Sequence, residues 1–338
     1  MGITRIELER FTAFEKLDIN FSPGMNVFIG ENGTGKTHLL KVMYAACDAG
    51  FKKTGITDKL IKICLPSNGD LGRLVHRKKT LTQCNIKIYQ NKIHVHVTFE
   101  SNHKGHIAAS ENEKGDWDKS PIKSAYIPVK EILSNAPGFR SLYHQREVHF
   151  EEFYDDILNL AYLPQLRRPF SKEIQIMLNL LEDIMGGGVT IKGEEFFLNS
   201  KQGNIEFSLL AEGFRKLGLL WLLLCNGSIR KGSVLFWDEP ESNLNPKLYG
   251  PLINILLELQ RQGVQIFIAT HDYVILKELD LRLKESDKIL FHSLYKDDST
   301  GDVLCNSTDD FLQIEPNAIQ DTFLDLFDRD IVRDLEDE

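Results

Sequence analysis

Apolar and polar residues alternate from the start of the chain. Ile3, Ile6, Leu8, Phe11 and Phe14 stand among charged neighbours, and Leu17, Ile19 and Phe21 follow at a period of two before the turn Ser22-Pro23-Gly24. A period of two gives a strand one buried and one wet face, so the segment is expected as a hairpin. Met25-Asn26-Val27-Phe28-Ile29 is nearly all apolar and reads as a strand covered on both faces. Beyond the glycine-bearing stretch 30–36 the period changes. Leu39, Leu40, Val42, Met43 and Ala46 recur at helical spacing over 37–49, with Gly50 placed as a C-terminal cap.

From 51 to about 200 the pattern is weaker. Residues 86–99 predict two strands around Gln90-Asn91-Lys92, 101–120 are polar and loop-like, and 124–129 read as a strand stopped by Pro128. Residues 148–161 and 172–185 look helical, and no heptad run long enough for a coiled-coil arm occurs. Periodicity returns at Ile205-Glu206-Phe207, a short strand. A long apolar helix is expected over 211–225, and buried strands over 233–237 and 264–269. Between these strands, Asn245 and Pro246 stand as N-cap and first-turn proline of a helix reaching about residue 260. Alternation of this kind implies a parallel sheet with helices on both faces.

The 338 residues are 42% hydrophobic and 26% charged, which suits a folded chain with a sizeable core. Lys and Arg total 40 against 49 Asp and Glu, a formal charge of −9, so contact with nucleic acid requires a local basic patch. Candidates are Lys52-Lys53, Arg73 with Arg77-Lys78-Lys79, and Arg167-Arg168; a solvated face is the alternative for each. Five scattered cysteines with no CxxC spacing fit a reducing cytoplasm rather than a disulfide or zinc framework. The densest apolar run, 217–225, is about half of the ~20 residues a membrane span needs, so no membrane association is expected. His94 and His96 share one face of a strand, with His103 and His106 nearby, but nothing adjacent completes a metal site.

Chemistry concentrates at three places. Gly30-Glu31-Asn32-Gly33-Thr34-Gly35-Lys36-Thr37 matches GxxxxGK[ST] between a buried strand and a helix start. Glycines there let backbone N–H groups face phosphates, Lys36 is placed for the terminal phosphates, and the Thr37 hydroxyl is a Mg²⁺ ligand. Val234-Leu235-Phe236-Trp237-Asp238-Glu239 ends a strand on two acids: Asp238 suits the Mg²⁺ shell and Glu239 an attacking water, a solvated turn being the bland alternative. His271, just past the next strand, is placed to reach a γ-phosphate.

The order of these motifs resembles the ABC class of ATPases, in particular the SMC, RecF-like and overcoming-lysogenisation-defect (OLD) heads. Gly30-x-Asn32-Gly33-x-Gly35-Lys36-Thr37 is similar to that group's GxNGxGK[ST], and Asp238-Glu239-Pro240-Glu241-Ser242-Asn243-Leu244-Asn245 to its DEPxSxLD run. The resemblance implies a D-loop at Ser242, Asn243, Leu244 and Asn245, and a switch histidine at His271. It also implies a signature segment at Ala211, Glu212, Gly213 and Arg215, intended for the nucleotide of a second copy. That segment departs from LSGGQ: Ala211 replaces serine and Glu212 a glycine. Arg215 or Lys216 either supplies the missing positive charge or pairs on the helix surface. For the Q-loop glutamine, Gln83 and Gln90 are candidates.

The fold implied is α/β, a P-loop NTPase of ABC type with a mostly parallel sheet flanked by helices and an N-terminal antiparallel β subdomain. It forms one domain over 1–338, with a mixed insert at 51–204, the signature-to-switch segment at 205–300 and an acidic helical tail at 301–338. ATP and Mg²⁺ are the implied ligands, and Glu239 and His271 the catalytic pair. Two copies would close head to tail around two ATP molecules. The whole chain, including Tyr126-Ile127-Pro128-Val129-Lys130-Glu131, also resembles stand-alone ATPases of bacterial phage-defence operons. The leading expectation is therefore an ATP switch that controls a separately encoded nuclease or toxin. The alternative is a RecF- or SMC-like DNA repair or chromosome-maintenance ATPase, and a transporter's ATP-binding subunit is a third reading. In the tail, Ile319, Phe323, Leu326 and Phe327 at helical spacing are expected to dock on the chain's own core, a partner helix being the other reading.

Overall fold

The computed structural model describes residues 2–76, 82–100, 109–145, 148–167 and 170–336. The alternating N-terminus forms the hairpin β1 (Arg5–Phe11) and β2 (Phe14–Asn20), with Ile6, Leu8, Leu17 and Ile19 on its buried face. The nearly all-apolar β3 (Met25–Ile29) follows, buried at every position, Asn26 included. Helix α1 (Lys36–Lys52) passes through Gly50 and stops at Lys53, which takes the left-handed conformation at φ 57°. Gly50 is thus not the cap. It is a point of close approach, where a Cβ would lie 2.6 Å from the Trp117 ring.

After α2 (Ile56–Cys64) come β4 (Gln83–Gln90) and β5 (Ile93–Glu100), the two strands read around Asn91. The described part of the stretch read as loop instead carries β6 (Ser110–Asn112) and α3 (Lys114–Lys119), the latter anchored by buried Trp117, whose Nε1 donates to Ala46 O at 2.9 Å. β7 (Ser124–Ile127) ends before Pro128. Helices α4 (Phe139–His144), α5 (Glu152–Ala161) and α6 (Lys172–Met185) precede a small antiparallel sheet of β8 (Gly187–Lys192), β9 (Glu195–Ser200) and β10 (Gly203–Glu206).

The C-terminal half runs α7 (Glu212–Cys225), β11 (Val234–Asp238), α8 (Tyr249–Arg261), β12 (Gln265–Thr270) and α9 (Tyr273–Arg282). It continues with β13 (Ile289–Lys296), β14 (Val303–Thr308) and α10 (Ala318–Glu336). Two larger sheets organise these elements. One is antiparallel, in the order β2-β1-β4-β5-β6; the other has the order β14-β13-β3-β12-β11-β7 and is parallel except for the edge strand β14, which pairs antiparallel with β13. Residues read as an insert therefore supply strands to both. β11 and β12 are buried at every position, as strands with helices on both faces must be. The tail helix docks only at its base: Phe323 stacks on Tyr273 at 4.8 Å between ring centroids, whereas Leu326 and Phe327 are 52% and 58% exposed.

Candidate functional site

Register brings the chemistry together. Thr270 lies opposite Ile29 and Ala269 opposite Asp238, so β3, β12 and β11 end side by side and release the P-loop, His271 and Glu239 at one edge of the sheet. In the P-loop, Thr34 Oγ1 donates to Glu31 O at 2.8 Å. Gly35, left-handed at φ 88°, caps α1 without a side-chain bond, leaving the first N–H groups of the helix to an anion. Any Cβ there would meet the Phe14 ring at 2.6 Å. Lys36 is buried and spans the loop, its Nζ donating to Gly30 O at 2.6 Å and Glu31 O at 2.9 Å. Burial holds its ammonium below the usual range, against the pull of Glu239, Asp238 and Glu241. Asn32 and Gly33 lie exposed at the loop's tip.

Asp238 is 3% exposed, and both its oxygens are held. Oδ1 accepts from Thr37 Oγ1 and Oδ2 from Tyr126 OH, each at 3.2 Å. Burial pushes this carboxyl up, while the two hydroxyls favour its ionised form. Glu239, left-handed at φ 47°, sets its Oε1 3.3 Å from His271 Nδ1, and its N–H donates to Ala269 O at 2.9 Å. Beneath them Glu241 is buried. Its Oε1 accepts from Thr270 Oγ1 at 2.6 Å and from the His271 N–H at 3.4 Å, and burial pushes its carboxyl up. The donor set suits Mg²⁺ with a nucleotide: a threonine hydroxyl and a carboxylate adjoin an uncapped helix N-terminus and a buried lysine.

The run after Glu239 is a tight turn. Ser242 N donates to Glu239 O at 3.1 Å, Leu244 N to Glu241 O at 2.9 Å, Asn243 is left-handed at φ 60°, and Asn245 caps the following turn through Lys247 N at 3.0 Å. The signature segment packs on this turn. Ala211 is the exposed N-cap of α7, Glu212 opens the helix, and buried Gly213 faces Asn243 and Leu244. Neither cation lies on an open helix surface. Arg215 pairs with the 3%-exposed side chain of Glu131, in the loop after β7, and its Nε donates to Leu210 O at 2.9 Å. Lys216 is 1% exposed and donates to Ser242 O at 2.8 Å. Among the described residues, no hydrogen bond or ion pair joins 211–215 to the P-loop of the same copy.

Other candidates lie apart. Gln83 and Gln90 sit at the two ends of β4, in the antiparallel sheet, whereas the loop after β7 carries Glu131 against α7. Lys52 pairs with Asp48 and Asp156; Lys53, Arg73 and Arg167 are exposed; Arg77, Lys78, Lys79 and Arg168 fall outside the described residues. His94 lies 3.1 Å from Glu113 and His96 3.4 Å from Asn85 Oδ1, while His103 and His106 are outside the described residues. No group of three metal-ligating side chains occurs among the described residues. Tyr126, Thr270, Glu241 and Glu131 are the site residues that motif spacing missed. Glu241 lay inside the run read as DEPxSxLD-like, and Tyr126 and Glu131 at the two ends of the run 126–131, without a site role being read for any of the three.

The family model described as "AAA domain, putative AbiEii toxin, Type IV TA system" matches residues 76–277, and that described as "AAA ATPase domain" matches 1–135. Among curated relatives, the DNA replication and repair protein RecF of Lactobacillus johnsonii is 33% identical over 91 residues, covering 27% of this chain and 24% of that protein. RecF of Lactobacillus acidophilus is 24% identical over 198 residues, covering 55% and 50%. The chain thus spans half or less of these relatives' length. Among solved structures, the SMC head domain from Thermotoga maritima aligns over 92% of this chain and 100% of that one, at 16% identity and a TM-score of 0.52. An Smc head bound to the C-winged helix domain of ScpA aligns over 93% and 100%, at 13% identity and 0.59. No helix among the described residues is long and apolar enough to cross a membrane. With a nucleotide-type strand edge, an SMC-head fold and a model match over most of its length, the chain belongs to the family described as AAA domain, putative AbiEii toxin, Type IV TA system, and is an SMC/RecF-like ABC-class P-loop ATPase.

Proposed function

We propose that the protein is an ATP-hydrolysing head that closes on a second copy around Mg²⁺·ATP and acts on DNA, as a RecF- or SMC-like maintenance ATPase. The observation that carries the ATPase part is the single strand edge where Lys36, Thr37, Asp238, Glu239 and His271 converge. The N–H groups at the start of α1 and Lys36 would bind the phosphates. Thr37 and Asp238 would hold Mg²⁺, which neutralises charge on the phosphate oxygens when bound. Glu239 Oε would take the proton of the attacking water, with His271 Nδ1 beside it fixing the carboxylate. Gly213 and the N-terminus of α7 would meet the nucleotide of the other copy, an assignment supported by the exposed N-cap Ala211, which leaves the first N–H groups of α7 without a side-chain cap. Arg215 is already committed to Glu131 and is not needed for this.

The DNA assignment is supported by the RecF relatives and the SMC-head fold. It is tested by fluorescence anisotropy of labelled duplex and gapped DNA with a non-hydrolysable ATP analogue, across a salt series. The expected result is nucleotide-dependent affinity with a steep salt slope, lost in Lys36→Ala. DNA affinity indifferent to nucleotide and to Lys36 would refute it. A second reading, control of a separately encoded effector in anti-phage defence, is favoured by membership of a family that includes a putative toxin of a Type IV TA system. A nuclease or toxin that co-purifies in stoichiometric amount with the nucleotide-bound dimer would favour it. A cytoplasmic site of action fits either reading, since all five cysteines are free.

A further inference from the structure

Packing accounts for the ring of Tyr126 but not for its hydroxyl. A phenylalanine would fill the same space, because the ring is gripped by packing: it stacks on Phe153 at 4.8 Å and 29°, and leans on Tyr44 at 5.3 Å. Tyr126 is 2% exposed, and a phenol hydroxyl taken that far from water needs an acceptor. The partner it finds is Asp238 Oδ2 at 3.2 Å.

The support behind the ring is itself ordered. Tyr44 OH donates to Asp156 Oδ2 at 2.7 Å, and Asp156 is paired with Lys52 at 2.6 Å and with Lys59. Lys59, its side chain 3% exposed, also reaches Asp48 at 2.7 Å and Glu152 at 2.8 Å, tying α1, α2 and α5 together. Rotation about the last torsion of an aspartate is soft, so its carboxylate plane is set by its partners. Here Thr37 holds Oδ1 and Tyr126 holds Oδ2.

We propose that Tyr126 is a positioning residue of the nucleotide site: from the edge strand β7 its hydroxyl fixes the plane of the Asp238 carboxylate and so sets how well that carboxylate and Thr37 together receive Mg²⁺. Tyr126 need touch neither nucleotide nor metal. The inference rests on the reading of Thr37 and Asp238 as Mg²⁺ ligands, and its test separates the two. At 3.2 Å this O–H···O contact is long, so its contribution is that of an ordinary hydrogen bond, enough to change an equilibrium by about fivefold.

The experiment is binding of a fluorescent ATP analogue to the full chain, first in EDTA and then along a Mg²⁺ titration. Tyr126→Phe is expected to keep its metal-free affinity within about twofold and its melting temperature within a few degrees, while half-saturation by Mg²⁺ rises about fivefold. Phe153→Leu, which loosens the ring's packing and leaves the hydroxyl, is expected to lower the melting temperature and shift the Mg²⁺ curve by less than about twofold. A Tyr126→Phe Mg²⁺ curve that overlays the wild type overturns the proposal. So does an equal loss of metal-free affinity, or a Phe153→Leu shift as large as that of Tyr126→Phe. If the wild type itself shows no Mg²⁺-dependent affinity, the ligand assignment fails and the proposal with it.

Discussion

Arg215→Ala separates two roles for a signature-helix cation, one within its own copy and one across to a second. The side chain of Glu131 is 3% exposed and faces Arg215, with Ser134 N donating to it at 3.2 Å and Ser134 Oγ also bonded. Removing one partner of a buried ion pair typically costs ~3–5 kcal/mol, because the other charge is stranded. The two Ser134 bonds remain and Arg215 is 19% exposed, so water enters readily; the low end, about 3 kcal/mol, is expected. Glu131→Gln alone should cost less, about 1–2 kcal/mol, since an amide still accepts from the guanidinium. Combining Glu131→Gln with Arg215→Ala should cost about 2–3 kcal/mol rather than the additive 4–5, a coupling of about 2 kcal/mol in the double-mutant cycle. Urea unfolding of the four proteins supplies the numbers, and sedimentation with ATP supplies the association state. If Arg215→Ala unfolded within ~0.5 kcal/mol of wild type and yet lost ATP-dependent dimerisation, the in-copy role would be refuted.

Gly213→Ala should be damaging although alanine is the better helix former, because its Cβ would lie 2.8 Å from Asn243 O and 3.2 Å from Leu244 Cα. We expect a loss of about 1–3 kcal/mol in urea unfolding and at least tenfold weaker ATP-dependent dimerisation, a wild-type dimer constant being the contrary result. Acid should weaken the fold through two histidines: burial pushes His292 down to about 3, and burial with nearby Lys41 pushes His38 down to about 4. Their folded values lie below the unfolded value near 6.5, so the unfolded chain takes protons first. Stability is then full above about pH 6.5 and falls as pH drops toward 4, by roughly 1.4 kcal/mol per unit for each histidine. Urea midpoints between pH 8 and 5 should show this slope, reduced by about half in His292→Gln.

The parallel core and the nucleotide loop were legible because strong local signals coincided there: nearly all-apolar strands, glycines at fixed offsets and acids at a strand end. What escaped the sequence was set by distant partners. Gly50 looked like a stop signal, and only the Trp117 ring across the chain explains why the helix continues. The strands from 187 to 206 are short and carry few apolar residues each, too little periodicity to separate from loop. The tail's stripe was correctly periodic, but periodicity does not say what faces it, and only the base at Phe323 meets the body. Tyr126 and Glu131 joined the site through sheet order, since β7 pairs with β11 across more than a hundred residues of sequence.

Turnover and association of Glu239→Gln test the central claim most directly. Light scattering after size exclusion, with ATP or ADP, and phosphate release would be measured on the same preparation. Loss of a general base is worth about 10²–10⁴ in rate, so the variant should bind ATP normally, hydrolyse it at least about a hundredfold more slowly and accumulate as a dimer with ATP but not ADP. Wild-type turnover, or a monomer at saturating ATP, would contradict an ATP-closed head that uses Glu239 to reopen.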